Sequence, residues 1–498
     1  MITLPIFLSV LPFLVFTVLL IFRETSLLKA SIITLVLFTV LAIFYWGILP
    51  ASLMVSYGKG FFVALDIFII IFGAIFFLLL LEEIQVIENI SYYLEHFSGD
   101  YRLQIILLAW LFEAFLEGTA GFGTPVAIVA PLLVGLGLTP IRALIVSLLG
   151  NSIAGVFGAV GTPIRIGFAG LDTTSVPVIS ALINCAGFIV PVFMLWIITT
   201  GRVNRKKEFL SALPFAIWAG IVFVLPSVFV SLWSQEFATI LGSIIGIILV
   251  FLTTKLGLFV PKDKISLKQV GEKLFKSMSP AHAFLPYVFL VFLLVAGKIF
   301  IGNAGINISL GFSHFFNLFN PGFAFILAGL LVAIIWRRKK EAVVPLVSKS
   351  FIEALNPFFV IISTSVLVQL MINSGQNRSG LPSAISILSK VFETPLLPFF
   401  APFIGAFGSF ITGSVTISNI MFGSFFDTAA TNLGNSTAVI LSLAIVGAGA
   451  GSMIALADML AAQAVLRLKN QERKILRGVF VPCFLFLIIV GGIGLFLS

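Results

Sequence analysis

Long apolar runs alternate along this chain with short polar interruptions, and the runs have membrane-spanning lengths. Leu4–Phe22, Leu27–Trp46 and Phe61–Leu81 are the first three. Arg142–Val160, Val178–Thr200, Leu210–Trp233, Phe237–Val260, Phe284–Ile301, Phe323–Trp336, Phe351–Ile372, Val439–Ala457 and Val479–Leu497 follow. Most of these, as helices rising ~1.5 Å per residue, would cross a hydrocarbon core of ~30 Å. The pattern predicts an all-α, polytopic integral membrane protein of about 12 spans. Leu4–Phe22 has no basic residue before it and Arg23 after it, so an ordinary first span is expected there rather than a cleaved leader. Two segments read as amphipathic helices at the interface. In Ile84–Phe97, Glu82, Glu83, Glu88, Glu95 and His96 alternate with Ile84, Ile87, Ile90 and Leu94; Pro382–Phe392 is the other.

Two apolar segments carry longer breaks, and Arg142–Val160 is interrupted by Asn151 and Ser152 before it ends in GTPIRIG. In 103–138, Glu113 and Glu117 lie four apart and share a helix face. Gly118, Thr119, Gly121, Gly123, Thr124 and Pro125 then end the helix and free its backbone groups. In 396–428 the interruption reads TGSVTISN, Thr412 to Asn419. Such backbone lacks water partners in hydrocarbon and is tolerated only where protein or a wet cavity covers it. Both segments are expected to be broken or re-entrant hairpins.

The two parts of the chain echo each other. Ala64-Leu65-Asp66 and Ala354-Leu355-Asn356 each open a long span; an amphipathic piece, an apolar approach and an interruption follow. Phe115, Gly118 and Thr119 align with Phe410, Gly413 and Ser414. The basic runs at 202–207, 262–279 and 337–340 mark the cytoplasmic side, as does the turn from Arg467 to Arg477. With that orientation both termini lie outside, and the first copy starts outside while the second starts inside. This gives an inverted repeat, whose paired interruptions point to a transporter site near the midplane. The expected division is a first repeat at 1–200, middle spans at 201–345 and a second repeat at 346–498.

Composition narrows the class. The chain of 498 residues is 60% hydrophobic and 10% charged, with a mean hydropathy of +1.19. That excludes an ordinary soluble domain. The net charge of +9 reflects short basic runs beside spans, so it reports orientation and calls for no nucleic acid. Cys185 and Cys483 lie in apolar runs, and His96, His282 and His314 are scattered, so neither a disulfide nor a metal site is expected. No phosphate-binding G-x-x-x-x-G-K-[ST] loop is present, which disfavours a primary pump. Nothing in the sequence suggests a nucleophile–base constellation, so an integral-membrane enzyme is disfavoured too.

The interruptions resemble those of the lactate permease family of membrane transporters. The similarity is clearest in AFLEGTAGFGTPVAI, Ala114 to Ile128, and continues through LLVGLG, Leu132 to Gly137, and FGAVGTPI, Phe157 to Ile164. FITGSVTISN, Phe410 to Asn419, is similar to the family's second interruption. The resemblance implies uptake of L-lactate, with D-lactate or glycolate as variants, together with protons. It also shows departures. Val415 stands where the family usually has an acidic residue; Ser452 and Ala455-Leu456-Ala457 stand where it has a Lys and then Ser-Pro-Gln, and Asp458 follows them. Glu113 and Arg165 occupy positions expected to be uncharged. These bear on substrate and coupling ion more than on fold.

A small 2-hydroxy acid needs donors for its carboxylate and a polar partner for its hydroxyl. Helix N-termini at the interruptions offer N–H groups and a positive dipole end. The candidate substrate residues are Gly118, Thr119, Gly121, Gly123, Asn151, Arg165, Thr412, Gly413, Ser414, Thr416, Ser418 and Asn419, with Arg165 a cation for the carboxylate or a snorkelling side chain at a span end. Glu117 is the leading proton carrier, because a charge at mid-bilayer costs ~2.5–3.5 kcal/mol and is seldom kept without a role. Glu113, Asp66 and Asp458 are further candidates. A sodium-coupled or antiport carrier of another organic acid is the competing transport reading. The partners expected are therefore a small organic anion, a coupling proton and the lipid bilayer of the cell membrane; a homo-oligomer is compatible with them. No cofactor is called for.

Overall fold

The computed structural model describes residues 4–21, 25–95, 97–119, 121, 124–266, 278–301, 304–309, 311–468 and 471–497. Gly123, His96, Lys268, Lys273, Lys276 and Lys469 lie outside them. Among the described residues, ten helices are long and apolar enough to cross a membrane. Two of the spans counted from the sequence, here Leu4–Leu19 and Pro321–Ile335, are shorter apolar helices. The protein is an all-α polytopic membrane protein, with one small antiparallel hairpin, Gly305–Ser309 against Ser313–Asn317. The sequence reading had no strand there.

The chain packs as two units. One comprises Met1–Ile87, Met278–Thr394 and Ile420–Gly434; the other Glu88–Ser277, Pro395–Asn419 and Asn435–Ser498. These packing units interleave along the chain, whereas the sequence division follows repeats.

The first unit is built on two helices of 34 residues each, Pro50–Glu83 and Lys340–Asn373. They exceed the expected spans Phe61–Leu81 and Phe351–Ile372 because polar turns extend both N-termini. At ~1.5 Å per residue each is ~51 Å long, more than the hydrocarbon core. Lipid tails are as apolar as leucine, so close backbone approach and hydrogen bonds must hold such helices together. Gly60 lies against the backbone of Val366, and Gly73 against the carbonyl of Gly322 on Pro321–Ile335. Ser52 donates to Gln376 at 2.6 Å, and Asn373 donates to Ser56 at 3.0 Å. The strand hairpin carries His314, whose Nε2 lies 3.1 Å from Asp66 Oδ2. Phe62 stacks on the imidazole.

The second unit holds both expected interruptions. Tyr101–Ile106, a wide π turn at Leu107–Phe112 and Glu113–Thr119 approach the first; Thr124–Gly135 leaves it. Leu397–Thr412 approaches the second and ends at Gly413, whose φ of +68° suits glycine. Val415–Leu433 leaves it, its residues up to Asn419 belonging to this unit. Two more helices are interrupted, where the sequence reading had a span broken at Asn151 and Ser152 and a Gly-rich span ending near Asp458. Pro140–Ala154 runs into a tight turn, Gly155–Phe157, before Gly158–Arg165, in which Ala159, Val160 and Gly161 all have positive φ. Thr437–Gly451 runs into Ser452–Ile454 before Leu456–Val465. Glycines set the helix spacing here as well: Gly150 rests on the carbonyl of Ala109, Gly405 on that of Ala444, Gly447 on that of Pro402 and Gly451 on that of Ala406.

A buried arginine locks the start of the first hairpin. Arg102 is fully buried and pairs with Asp100 at 2.6 Å. Its guanidinium also donates to the carbonyls of Glu208 at 2.6 Å and Asp263 at 3.1 Å, and to Ser211 Oγ at 2.8 Å. Asp100 in turn caps the helix, accepting from Arg102 N at 3.0 Å.

Candidate functional site

The four interruptions of the second unit surround one cavity of about 30 Å³. One buried water needs ~10–15 Å³, so this is room for a group of roughly two waters' size. Glu117 comes from the end of the first hairpin's leading helix. Gly413, Ser414, Val415 and Thr416 come from the second hairpin's tip. Asn151, Gly155, Gly158, Ala159 and Pro163 come from the third interruption, and Ser452 and Asp458 from the fourth.

Local chemistry explains why these atoms face inward. Gly413 N donates to Ser409 O at 2.8 Å, closing one helix. Ser414 Oγ then accepts from Ile417 N at 3.3 Å and caps the next. The first N–H groups of Val415–Leu433 point out of that helix's start, where no in-helix carbonyl can reach them. Gly158 has extended backbone, φ −62° and ψ 161°, and leaves the space that Glu117 Oε1 fills.

The electrostatics are one-sided. Glu117 and Asp458 are both buried and close enough to interact through space. Among the described residues, no lysine or arginine lines the cavity. Glu117 Oε2 and Asn151 Oδ1 are buried and accept no hydrogen bond from any described residue.

Of the residues expected to contact substrate, Asn151, Gly413, Ser414 and Thr416 line the cavity. Others build its walls. Thr119 donates to its own helix, at 3.2 Å to Phe115 O and 3.0 Å to Leu116 O. Thr412 donates to Gly408 O at 2.8 Å, Ser418 to Gly405 O at 2.9 Å and Asn419 to Pro163 O at 2.9 Å, the last joining the second hairpin to the third interruption. Gly118 packs on Thr239 and Ile240, and Gly121, with φ +54°, packs on Ala159. Arg165 is half-buried at the end of its helix and is not among the lining residues. Gly123 lies outside the described residues. Among the expected proton carriers, Glu117 and Asp458 reach the cavity. Glu113 is fully buried behind it, accepting from Ser147 Oγ at 2.8 Å, with Oε2 unpartnered among the described residues. Asp66 belongs to the first unit, beside His314.

Sequence reasoning did not assign Gly155, Gly158, Ala159 or Pro163 to the site, nor Ser452 and Val415 except as departures from the family pattern. The glycine clusters GVFGAVG and GAGAGS carried a usable signal, since glycine at that density within a span marks a close approach or a break.

Apolar spans in this number, with a polar cavity walled by interrupted helices, define a multi-pass membrane transporter. The comparisons with known proteins make that specific. Residues 6–304 and 298–498 match the model of the L-lactate permease family, so the chain belongs to that family. The L-lactate permease of Escherichia coli (strain K12) is 26% identical, the alignment covering 90% of this chain and 88% of that protein. The L-lactate permease of Streptococcus iniae is 28% identical over 68% of this chain and 72% of its own. The glycolate permease GlcA of E. coli K12 is 25% identical over 93% and 90%. Val415 and Ser452, which the sequence reading expected to depart from the family's pattern, line the cavity, as does Asp458.

Proposed function

We propose that this permease is a secondary active transporter of a small 2-hydroxy monocarboxylate, L-lactate first and D-lactate or glycolate as variants, by proton symport. The observation that carries the reading is the cavity itself: two buried carboxylates, Glu117 and Asp458, share it with helix-start N–H groups, and among the described residues no cation lines it. The N–H groups at Val415 and Thr416, with Ser414, suit a carboxylate. That anion would be a third negative charge beside Glu117 and Asp458. Its binding is favoured when protons neutralise them, and proton binding is favoured when the anion is present. Such reciprocal coupling is what symport requires.

The topology proposed with this function has the basic runs on the cytoplasmic side, both termini outside and two inverted repeats. Chain order supports it. The 34-residue helices start 290 positions apart, at Pro50 and Lys340. The 15-residue helices Pro140–Ala154 and Thr437–Gly451 start 297 apart, as do the turns at Gly155 and Ser452.

Uptake of labelled L-lactate into proteoliposomes tests the function. An inward proton gradient should drive accumulation, and an inward sodium gradient at equal pH should not. Accumulation driven by sodium alone would replace the proton in this reading; no uptake of any 2-hydroxy acid would end it.

A further inference from the structure

We infer that Asn151 is the residue that selects for the 2-hydroxyl of the substrate, an assignment that rests on the monocarboxylate reading above. Asn151 lies in the last turn of Pro140–Ala154, where the helix's N–H groups point back to carbonyls of the preceding turn. Its side chain is 3% exposed and lines the cavity. Its Oδ1 is buried, and no described residue donates to it. A buried amide oxygen without a donor is costly, so the site is built to receive one.

Two other hydroxyls of the cavity, those of Ser414 and Ser452, have less to offer. Ser414 Oγ already accepts from Ile417 N at 3.3 Å, and Ser452 Oγ lies 3.4 Å from Ser409 Oγ. The carboxylate of the substrate suits the N–H groups at the start of Val415–Leu433, which leaves its hydroxyl as the donor for Asn151. A ligand without that hydroxyl would fill the same space and leave Oδ1 unpaired. Sites built to bond a substrate hydroxyl reject the analogue lacking it far more strongly than sites that merely add a methylene. Glu113, Glu117 and Asp458 are the titratable groups closest in this region, and a protonated Glu117 is the rival donor. The two assignments differ in outcome: a Glu117 partner would tie Asn151 to coupling for every acid alike, not to the hydroxyl.

The test uses the full-length protein in proteoliposomes, with labelled L-lactate competed by unlabelled L-lactate, glycolate, propionate and acetate. Wild type should favour the hydroxy acids over their hydroxyl-free counterparts by at least about tenfold. Asn151→Leu should bring that ratio to within about twofold by weakening L-lactate while propionate holds its wild-type value. Asn151→Ala, which cannot clash, is read in the same way. Wild-type protein that moves L-lactate yet takes propionate equally well overturns this inference alone and needs no variant. A preserved preference in folded Asn151→Ala overturns it too, as does an equal loss for all four acids. Failure of wild type to move any of them ends the monocarboxylate reading, and this assignment with it.

Discussion

Gly158→Ala separates the position of the Glu117 carboxyl from the integrity of the fold. Gly158 has φ −62° and ψ 161°, values that alanine adopts without strain. The added methyl would run into Glu117 Oε1 and sit 3.3 Å from Cδ and 3.5 Å from Cγ. Non-bonded heavy atoms rest at ~3.5–4 Å, so the carboxyl must move by ~1 Å. Overfilling a packed site costs typically ~1–3 kcal/mol. The obstructed atom is the tip of a side chain beside a cavity, so the lower end of that range is expected. A displacement of ~1 Å at a reacting group can cost up to ~10²-fold in rate. Gradient-driven lactate uptake should therefore fall by about ten- to a hundredfold while thermal unfolding in detergent moves little. Two other glycines calibrate the result. Gly135→Ala meets nothing within 4 Å and should be silent; Gly150→Ala meets the carbonyl of Ala109 and should fail to fold. Folded Gly158→Ala protein with undiminished uptake would refute both the placement of Glu117 and its role.

Glu117→Gln should abolish accumulation against a gradient yet retain exchange of lactate between the two faces; accumulation by the folded variant removes Glu117 as the coupling group. Arg102→Met leaves Asp100 buried without its partner and should destabilise the protein by ~3–5 kcal/mol, read from unfolding midpoints. Ser414→Ala should weaken lactate binding through the lost cap and cavity hydroxyl, whereas Thr119→Val, which alters a hydroxyl bonded to its own helix, should leave the affinity within about twofold. Cysteines placed at Lys206 and Lys339, in a background lacking Cys185 and Cys483, should be shielded from impermeant reagent in intact cells; labelling from outside reverses the topology.

Spans, amphipathic pieces and the two hairpins were legible because each follows from local hydropathy or glycine and proline density. Extensions such as Pro50–Ser56 were not, since a helix continues past its apolar run whenever polar turns find partners, here Gln376 and Asn373. The strand hairpin was hidden for a related reason: GINIS and SHFFN are short, and their pairing is a long-range property. Of the cavity's lining residues, residue type gave Glu117, Asn151, Gly413, Ser414, Thr416 and Asp458. It could not separate Ser414, which faces the cavity, from Ser418, which spends its hydroxyl on Gly405 O. That distinction depends on helix rotation, set by packing the sequence does not display. The third interruption was read only as a span broken at Asn151 and Ser152, short of the turn at Gly155–Gly161, because Ala159 and Val160 at positive φ contradict their own local preference; the fourth was read only as a Gly-rich span end.

The four-fold interruption also bears on how such a permease changes cargo over evolutionary time. Gly155, Gly158 and Gly413 line the cavity with main chain alone, having no side chain to present. In the proposed site, the side chains that face the cargo are chiefly Glu117, Asn151, Ser414, Val415, Thr416, Ser452 and Asp458. Each can change without disturbing the glycine-to-carbonyl contacts that space the helices. On the proposed function, a change of substrate then calls for substitutions at these side chains, with the helix spacing left as it is.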